Sequence, residues 1–136
     1  MAKMNQRVKE VFEKQASVVL ATATKDGLPN VVPVSAKKTI DDETILISDQ
    51  FFNKTLKNLR ANPQAAITTW DNLEGYQLKG TVTIETSGAR FEETAQWIDA
   101  MGKKLNFPLK SKGVIIIKLT EIYNVSPGPQ AGTKIA

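Results

Sequence analysis

Apolar positions recur along this chain with two periods. Met4, Val8, Val11 and Phe12 fall at i, i+4, i+7 and i+8, which predicts an amphipathic helix over roughly residues 3–15. Ala16 to Thr24 is rich in β-branched and small residues and predicts a strand. Lys25-Asp26-Gly27 then turns the chain into a second strand, Pro29 to Ala36. Pro33 lies inside that strand, where it has no N–H for a ladder; an edge, a bulge or a backbone side facing a ligand would accommodate it. Asp41-Asp42-Glu43 is a polar turn before a third strand, Thr44 to Ser48. Phe52, Leu56 and Leu59 restore the helical spacing, and Pro63 stops that helix near Asn62.

Gln64 to Trp70 predicts a fourth strand, and Asp71 to Gly75 a turn. In the fifth strand, Tyr76 to Thr86, Leu78, Gly80, Val82 and Ile84 alternate with Lys79, Thr81, Thr83 and Glu85. Gly80 marks either a bend or a close approach to its backbone. Phe91, Ala95, Ile98, Met101 and Leu105 share one face of a third helix. Trp97 falls off that stripe, which predicts an exposed ring or one that covers a neighbouring subunit. Lys112 to Val125 is the sixth strand, and Val114 to Ile117 is apolar on both faces, as at the centre of a closed sheet or at a subunit interface. The expected fold is mainly β with short helices: a six-stranded antiparallel barrel over residues 1–125, followed by a Pro/Gly-rich tail, 126–136, packed on the domain or on its partner. The edges of such a sheet need covering, and a homodimer would cover them.

The stretch with the most chemical content is Ile47 to Pro63. A strand ends there, and a helix opens on Asn53-Lys54-Thr55. A helix start carries unpaired N–H groups and the positive end of the macrodipole, so an added ammonium and hydroxyl make it suited to a phosphate. The same residues also serve as an ordinary helix opening with a solvated lysine.

Composition narrows the chemistry. The 136 residues are 41% hydrophobic and 24% charged, enough for one domain with a real core. No apolar run reaches the roughly 18 residues that span a bilayer, and the polar first fifteen residues do not resemble a signal peptide, so a cytoplasmic protein is expected. The absence of cysteine excludes thiolate catalysis and Cys-based metal sites. The absence of histidine excludes a Ser-His-Asp triad and leaves no metal site expected. The net charge of +4 comes from scattered lysines without a basic run, so nucleic acid is not an expected partner even though Phe51, Trp70 and Tyr76 could stack bases.

Four pieces in order carry a family resemblance. They are the Asp-Gly hairpin with Pro29-Asn30-Val31-Val32-Pro33-Val34, the Ile47-Ser48-Asp49 strand end, the Asn53-Lys54-Thr55 helix start closing at Asn62-Pro63, and Leu78-Lys79-Gly80. Together, over about Val8 to Val125, they resemble the pyridoxamine 5'-phosphate oxidase-like, FMN-binding split barrel family. That resemblance implies an obligate dimer with two flavin sites at its interface. It places Val32, Pro33, Val34 and Ser35 beside the isoalloxazine, and Ser48 and Asp49 along the flavin and its ribityl chain. It assigns the phosphate to Asn53, Lys54 and Thr55, and makes Gln77 and Lys79 candidates for the ring edge. The chain lacks the C-terminal Trp and Arg/His segment with which true pyridoxamine phosphate oxidases grip their substrate, so that activity is not expected.

The expected cofactor is FMN, in an oxidoreductase that passes hydride or electrons between a reduced nicotinamide nucleotide and an unidentified acceptor. A non-enzymatic electron carrier and a deazaflavin (F420) protein of the same fold remain open alternatives. Haem ligated by histidine is excluded. Lys37 or Lys79 would be the cation near the ring.

Overall fold

The computed structural model describes residues 1–136. The chain forms three helices and seven strands: α1 (Gln6–Lys14), β1 (Val18–Ala23), β2 (Pro29–Val34), β3 (Lys37–Asp41), β4 (Thr44–Asp49), α2 (Lys54–Ala61), β5 (Gln64–Asp71), β6 (Glu74–Glu85), α3 (Ala89–Leu105) and β7 (Gly113–Asn124). The count is seven strands where the sequence pattern implies six. The added strand, β3, carries the sequence KKTID, with no buried residue. It is an edge strand held to β4 by backbone pairing, so no apolar alternation marks it.

Every pairing is antiparallel, in the order β2-β1-β5-β6-β7-β4-β3. The two edge strands, β2 and β3, are separated in sequence only by Ser35 and Ala36. Laid flat, seven strands spaced about 4.8 Å apart would hold their edges roughly 29 Å from each other. Three residue steps span at most about 11 Å. The sheet must therefore curl until its edges nearly meet, and it does so as a half-barrel. Ser48 N–H donates to Ala36 O (2.9 Å), which extends the β3–β4 ladder by one residue, and β2 and β3 do not pair.

The inside of the curl holds the main core. Val8 and Phe12 of α1, Val18, Leu20, Ile45, Ile47, Ile67, Leu78, Ile115, Ile117 and Leu119 meet there. The outer side of Val114 and Ile116 packs with Leu46 beneath Phe91 and Trp97 of α3. The double-sided apolar run of β7 is thus covered by a helix of the same chain. Trp97 is half-buried on that cluster, with the Lys38 ammonium 4.9 Å from its ring centre, and so is not a fully exposed ring. Gly80 sits at a bulge in β6 where a Cβ would stand 2.3 Å from Lys118 O, which accounts for the glycine by close backbone approach. Tail residues 133–136 return to β7: Asn124 N–H donates to Thr133 O (2.9 Å) and Ile135 N–H to Ile122 O (2.8 Å). No helix is long and apolar enough to cross a membrane.

Candidate functional site

Where the barrel stays split, a cavity of about 490 Å³ opens. Its walls come from three places: Asn30, Val32, Pro33, Val34, Ser35 and Ala36 along β2 and its exit; Ser48 and Gln50 to Thr55 from the end of β4 into α2; and Met101, Leu105 and Leu109 from α3 and the segment after it. A volume of this order is usual for small-molecule sites, which run about 300–1,000 Å³.

The β2 wall is a free sheet edge. Thr24 N–H donates to Leu28 O (3.1 Å) in the hairpin, which fixes Val34, Val32 and Asn30 as the residues bonded to β1. Val31 and Pro33 therefore direct their backbone groups away from β1, toward the open edge. Pro33 forfeits no ladder bond there. Its carbonyl remains, so this part of the edge offers an acceptor and no donor.

The opposite wall is built around Asp49. Its carboxylate, in a residue only 1% exposed, accepts from Phe52 N–H (2.9 Å), and the Lys112 ammonium lies 3.7 Å from the same oxygen. Lys112 also donates to Phe52 O (2.8 Å). Asp49 thus shapes the loop that delivers Phe52 and Asn53 to α2, and it does not line the cavity itself. Ser48 does, with its hydroxyl 2.7 Å from Ser111. The loop ends on an apolar mouth, where Phe51 is 70% exposed and meets Phe107 edge to face at 6.5 Å.

The start of α2 is richly supplied with donors. Asn53 is the N-cap, but its side chain makes no capping bond, and the first turn contains no acid. The N–H groups of Lys54, Thr55 and Leu56 have no acceptor in the protein. The Lys54 ammonium forms no ion pair and no hydrogen bond within the chain. The Thr55 hydroxyl, in a residue 2% exposed, accepts from Asn30 Nδ2 (3.0 Å), and the same amide donates to Thr22 (3.1 Å). Asn58 donates to Thr22 as well (3.1 Å), so a buried polar cluster locks α2 to β1 and β2.

The structure therefore brings Val32, Pro33, Val34, Ser35, Ser48, Asn53, Lys54 and Thr55 around one cavity, with Asp49 just behind it. Gln77 and Lys79 lie elsewhere, on the outer face of β6. Two rows cross that face: Val31, Ala21, Ala66, Lys79, Glu121 and Pro33, Val19, Thr68, Gln77, Tyr123. The Lys79 ammonium sits 5.4 Å from the Tyr123 ring centre. Lys37 follows the lining residue Ala36 but does not line the cavity itself. It donates to Phe12 O (2.7 Å) at the end of α1, and burial lowers its pKa. Sequence reasoning missed Asn30, Gln50, Met101, Leu105, Leu109 and Ser111. A signal for Met101 and Leu105 was present, since the apolar stripe of α3 continues past Ile98, the last large side chain that the helix buries.

Residues 4–126 match the family model described as Pyridoxamine 5'-phosphate oxidase. The chain belongs to this family. Among its relatives is an uncharacterized protein of Methanocaldococcus jannaschii, MJ0282, 46% identical over 122 residues that cover 88% of this chain and 79% of the relative. The crystal structure of HupZ from Group A Streptococcus superposes with a TM-score of 0.79 at 30% identity, covering 95% of this chain and 99% of that one. An FMN-binding protein from Syntrophomonas wolfei superposes at 0.71, covering 87% and 82%, and its 23% identity bears on the fold alone. The pyridoxamine 5'-phosphate oxidase resemblance read from the four sequence pieces is borne out, and its curled antiparallel sheet is the architecture described above.

Proposed function

We propose that this chain is an FMN-binding flavoprotein, with the flavin phosphate at the start of α2 and the ring along β2. The observation that carries the reading is the unmet hydrogen-bonding capacity at α2: three free N–H groups and an unpaired ammonium at one end of a largely apolar cavity. An anionic ester fits that end. The aliphatic side chains of Val32 and Val34 fit a flat heteroaromatic ring, and the free edge at Pro33 offers a carbonyl to ring N–H groups. Asn53, Lys54 and Thr55 would hold the phosphate, and Asp49 would position them through the loop. Bound there, flavin supplies the hydride and electron transfer chemistry, for which the protein needs no nucleophile of its own.

The active unit in this proposal is a homodimer joined through the outer face of β2, β1, β5 and β6. Val19, Ala21, Ala66 and Thr68 give that face a small, weakly polar centre. Pairing across it would bring Gln77 and Lys79 of one protomer toward the cavity of the other, the only route by which they reach a ring edge. The activity proposed is oxidoreduction between a reduced nicotinamide nucleotide and an acceptor not yet identified.

The visible spectrum of freshly purified native protein, followed by release and mass of the chromophore, tests the cofactor. FMN is the expected mass. Release of F420 would transfer the site to a deazaflavin, and a colourless protein that refuses micromolar FMN would end the flavin reading. Anaerobic mixing with NADH or NADPH then separates an enzyme from a carrier, since bleaching of the flavin is expected only of the enzyme. Light scattering at working concentration should give twice the chain mass; a single-chain mass would remove the dimer.

A further inference from the structure

We propose that the exposed stripe of α2 is a second phosphate site, where Lys57 and Arg60 hold a phosphate of the reduced nicotinamide nucleotide outside the flavin cavity. The inference rests on the oxidoreductase reading above and specifies how the electron donor is anchored. It assigns these two residues to the donor and not to the flavin.

Thr55, Asn58 and Leu59 form the buried face of α2. Asn53, Leu56, Lys57 and Arg60, at i, i+3, i+4 and i+7, form the opposite stripe. A cleft of about 470 Å³ runs along that stripe, from Phe52 and Asn53 past Leu56, Lys57 and Arg60 to Ala61. Phe52 and Asn53 also line the flavin cavity, so the two spaces meet at the start of the helix. No carboxylate lines the cleft, and α2 itself contains none. Lys57 and Arg60 form no ion pair. The other two arginines of the chain are occupied: Arg7 closes its fork on Glu74, and Arg90 closes its fork on Glu85. Arg60 alone keeps a planar set of donors with no acid to fill it, and such a fork matches a phosphate as well as a carboxylate. At a rise of about 1.5 Å per residue, Lys57 and Arg60 stand about 4.5 Å and 9 Å beyond Lys54 along the helix axis. A phosphate held between them is a different group from one at the helix start. Leu56 and Phe52, both half-buried, give the cleft an apolar floor for the sugar or base attached to it. A dinucleotide carries phosphates remote from its reacting ring, so its nicotinamide can enter the cavity while a phosphate stays in the cleft.

The test uses FMN-loaded protein and three probes: NADPH, NADH, and adenosine 2′,5′-bisphosphate, which has phosphates but no nicotinamide. The bisphosphate is titrated calorimetrically, and the two reductants are followed by anaerobic stopped-flow bleaching of the flavin. Lys57→Gln and Arg60→Gln should each weaken the bisphosphate about two- to fivefold, the range of an exposed charge pair, and the double variant about tenfold. Added salt should shrink these differences. Arg60→Lys, which keeps the charge without the fork, should recover only part of the loss. Bleaching by NADPH should slow by the same factors, while FMN affinity and melting temperature stay at wild-type values. A loss confined to NADPH would put its 2′-monoester in the cleft, and an equal loss with NADH would put the pyrophosphate there; both outcomes support the site. A double variant that binds the bisphosphate and is bleached like wild type would overturn the proposal. So would FMN affinity that falls as far as nucleotide affinity, or bisphosphate binding without bleaching by either reductant. Either single variant decides the matter if the other fails to fold. Wild-type protein that holds FMN but responds to none of the probes would overturn this inference alone. Protein that never takes up FMN would overturn the cofactor reading, and the bisphosphate titration would then decide on the cleft by itself.

Discussion

Helices α1 and α2 are similar in length and both amphipathic, yet they treat their polar groups in opposite ways. In α1, Asn5 caps the first turn by accepting from Val8 N–H (2.9 Å). Arg7 pairs with Glu10 and with Glu74 of β6, Lys9 with Asp42, and Lys14 with Asp71. Tyr76 O–H donates to the same Glu74 carboxylate (2.6 Å). In α2, the Asn53 side chain caps nothing, and Lys54, Lys57 and Arg60 make no ion pair. The first helix has its cap and its charges answered by its own chain, with only the N–H groups of Gln6 and Arg7 left over. The second is left with donors and positive charge unanswered, beside a cavity. A helix that is packed through Leu59 and Asn58 but electrostatically incomplete is suited to the anionic partner proposed above.

The contrast is broken most sharply by charge removal. Lys54→Met should weaken FMN ten- to a hundredfold, taking about 1.5–3 kcal/mol for a hydrogen bond to a charged group. Its apoprotein should melt where the wild type does. Arg7→Met should show the converse pattern, with a lowered melting temperature and unchanged FMN affinity. Calorimetric titration and thermal melts on both variants check this, and a Lys54→Met protein that binds FMN normally would remove the distinction between the helices.

A smaller effect separates the two caps. Asn5→Ala should cost about 1 kcal/mol in urea denaturation, the usual worth of a side-chain cap. Asn53→Ala should leave apoprotein stability within experimental error, because no cap bond is lost.

Smaller again is the response to acid. Arg7 first, then Tyr76, hold the Glu74 pKa down at about 2, from an ordinary 4.5. A depressed carboxylate binds its proton less readily when folded than when unfolded. Its contribution is therefore complete above pH 4.5 and is lost as the pH falls toward 2. Glu74→Gln should flatten that part of the stability curve, measured by denaturant midpoint against pH, while Lys54→Met leaves it intact.

The sequence revealed much of this difference and hid the rest for identifiable reasons. Phe52, Leu56, Leu59 and Pro63 mark α2 to within a residue, because periodicity and a proline stop are local signals. The Lys25-Asp26-Gly27 turn was equally legible, with Gly27 at φ 89°. β3 was not, since an exposed edge strand needs no apolar pattern. Asp49 was assigned to the flavin, but its carboxylate turns to Phe52 N–H; a buried acid reads alike in sequence whether it serves a ligand or a loop. Ser111 and Asn30 were invisible because each acts through a hydroxyl on a different strand or helix, and no spacing rule connects residues 63 apart, as Ser48 and Ser111 are.

The proline at position 33 has a consequence for the empty protein. An open strand with alternating free donors and acceptors is a template on which further chains can stack into filaments. With no N–H at Pro29 or Pro33, a docking strand would find only the Val31 donor along the outward-facing edge of β2. The chain can thus keep a strand unpaired beside its cavity, available to a small molecule, without inviting its neighbours to polymerise along it.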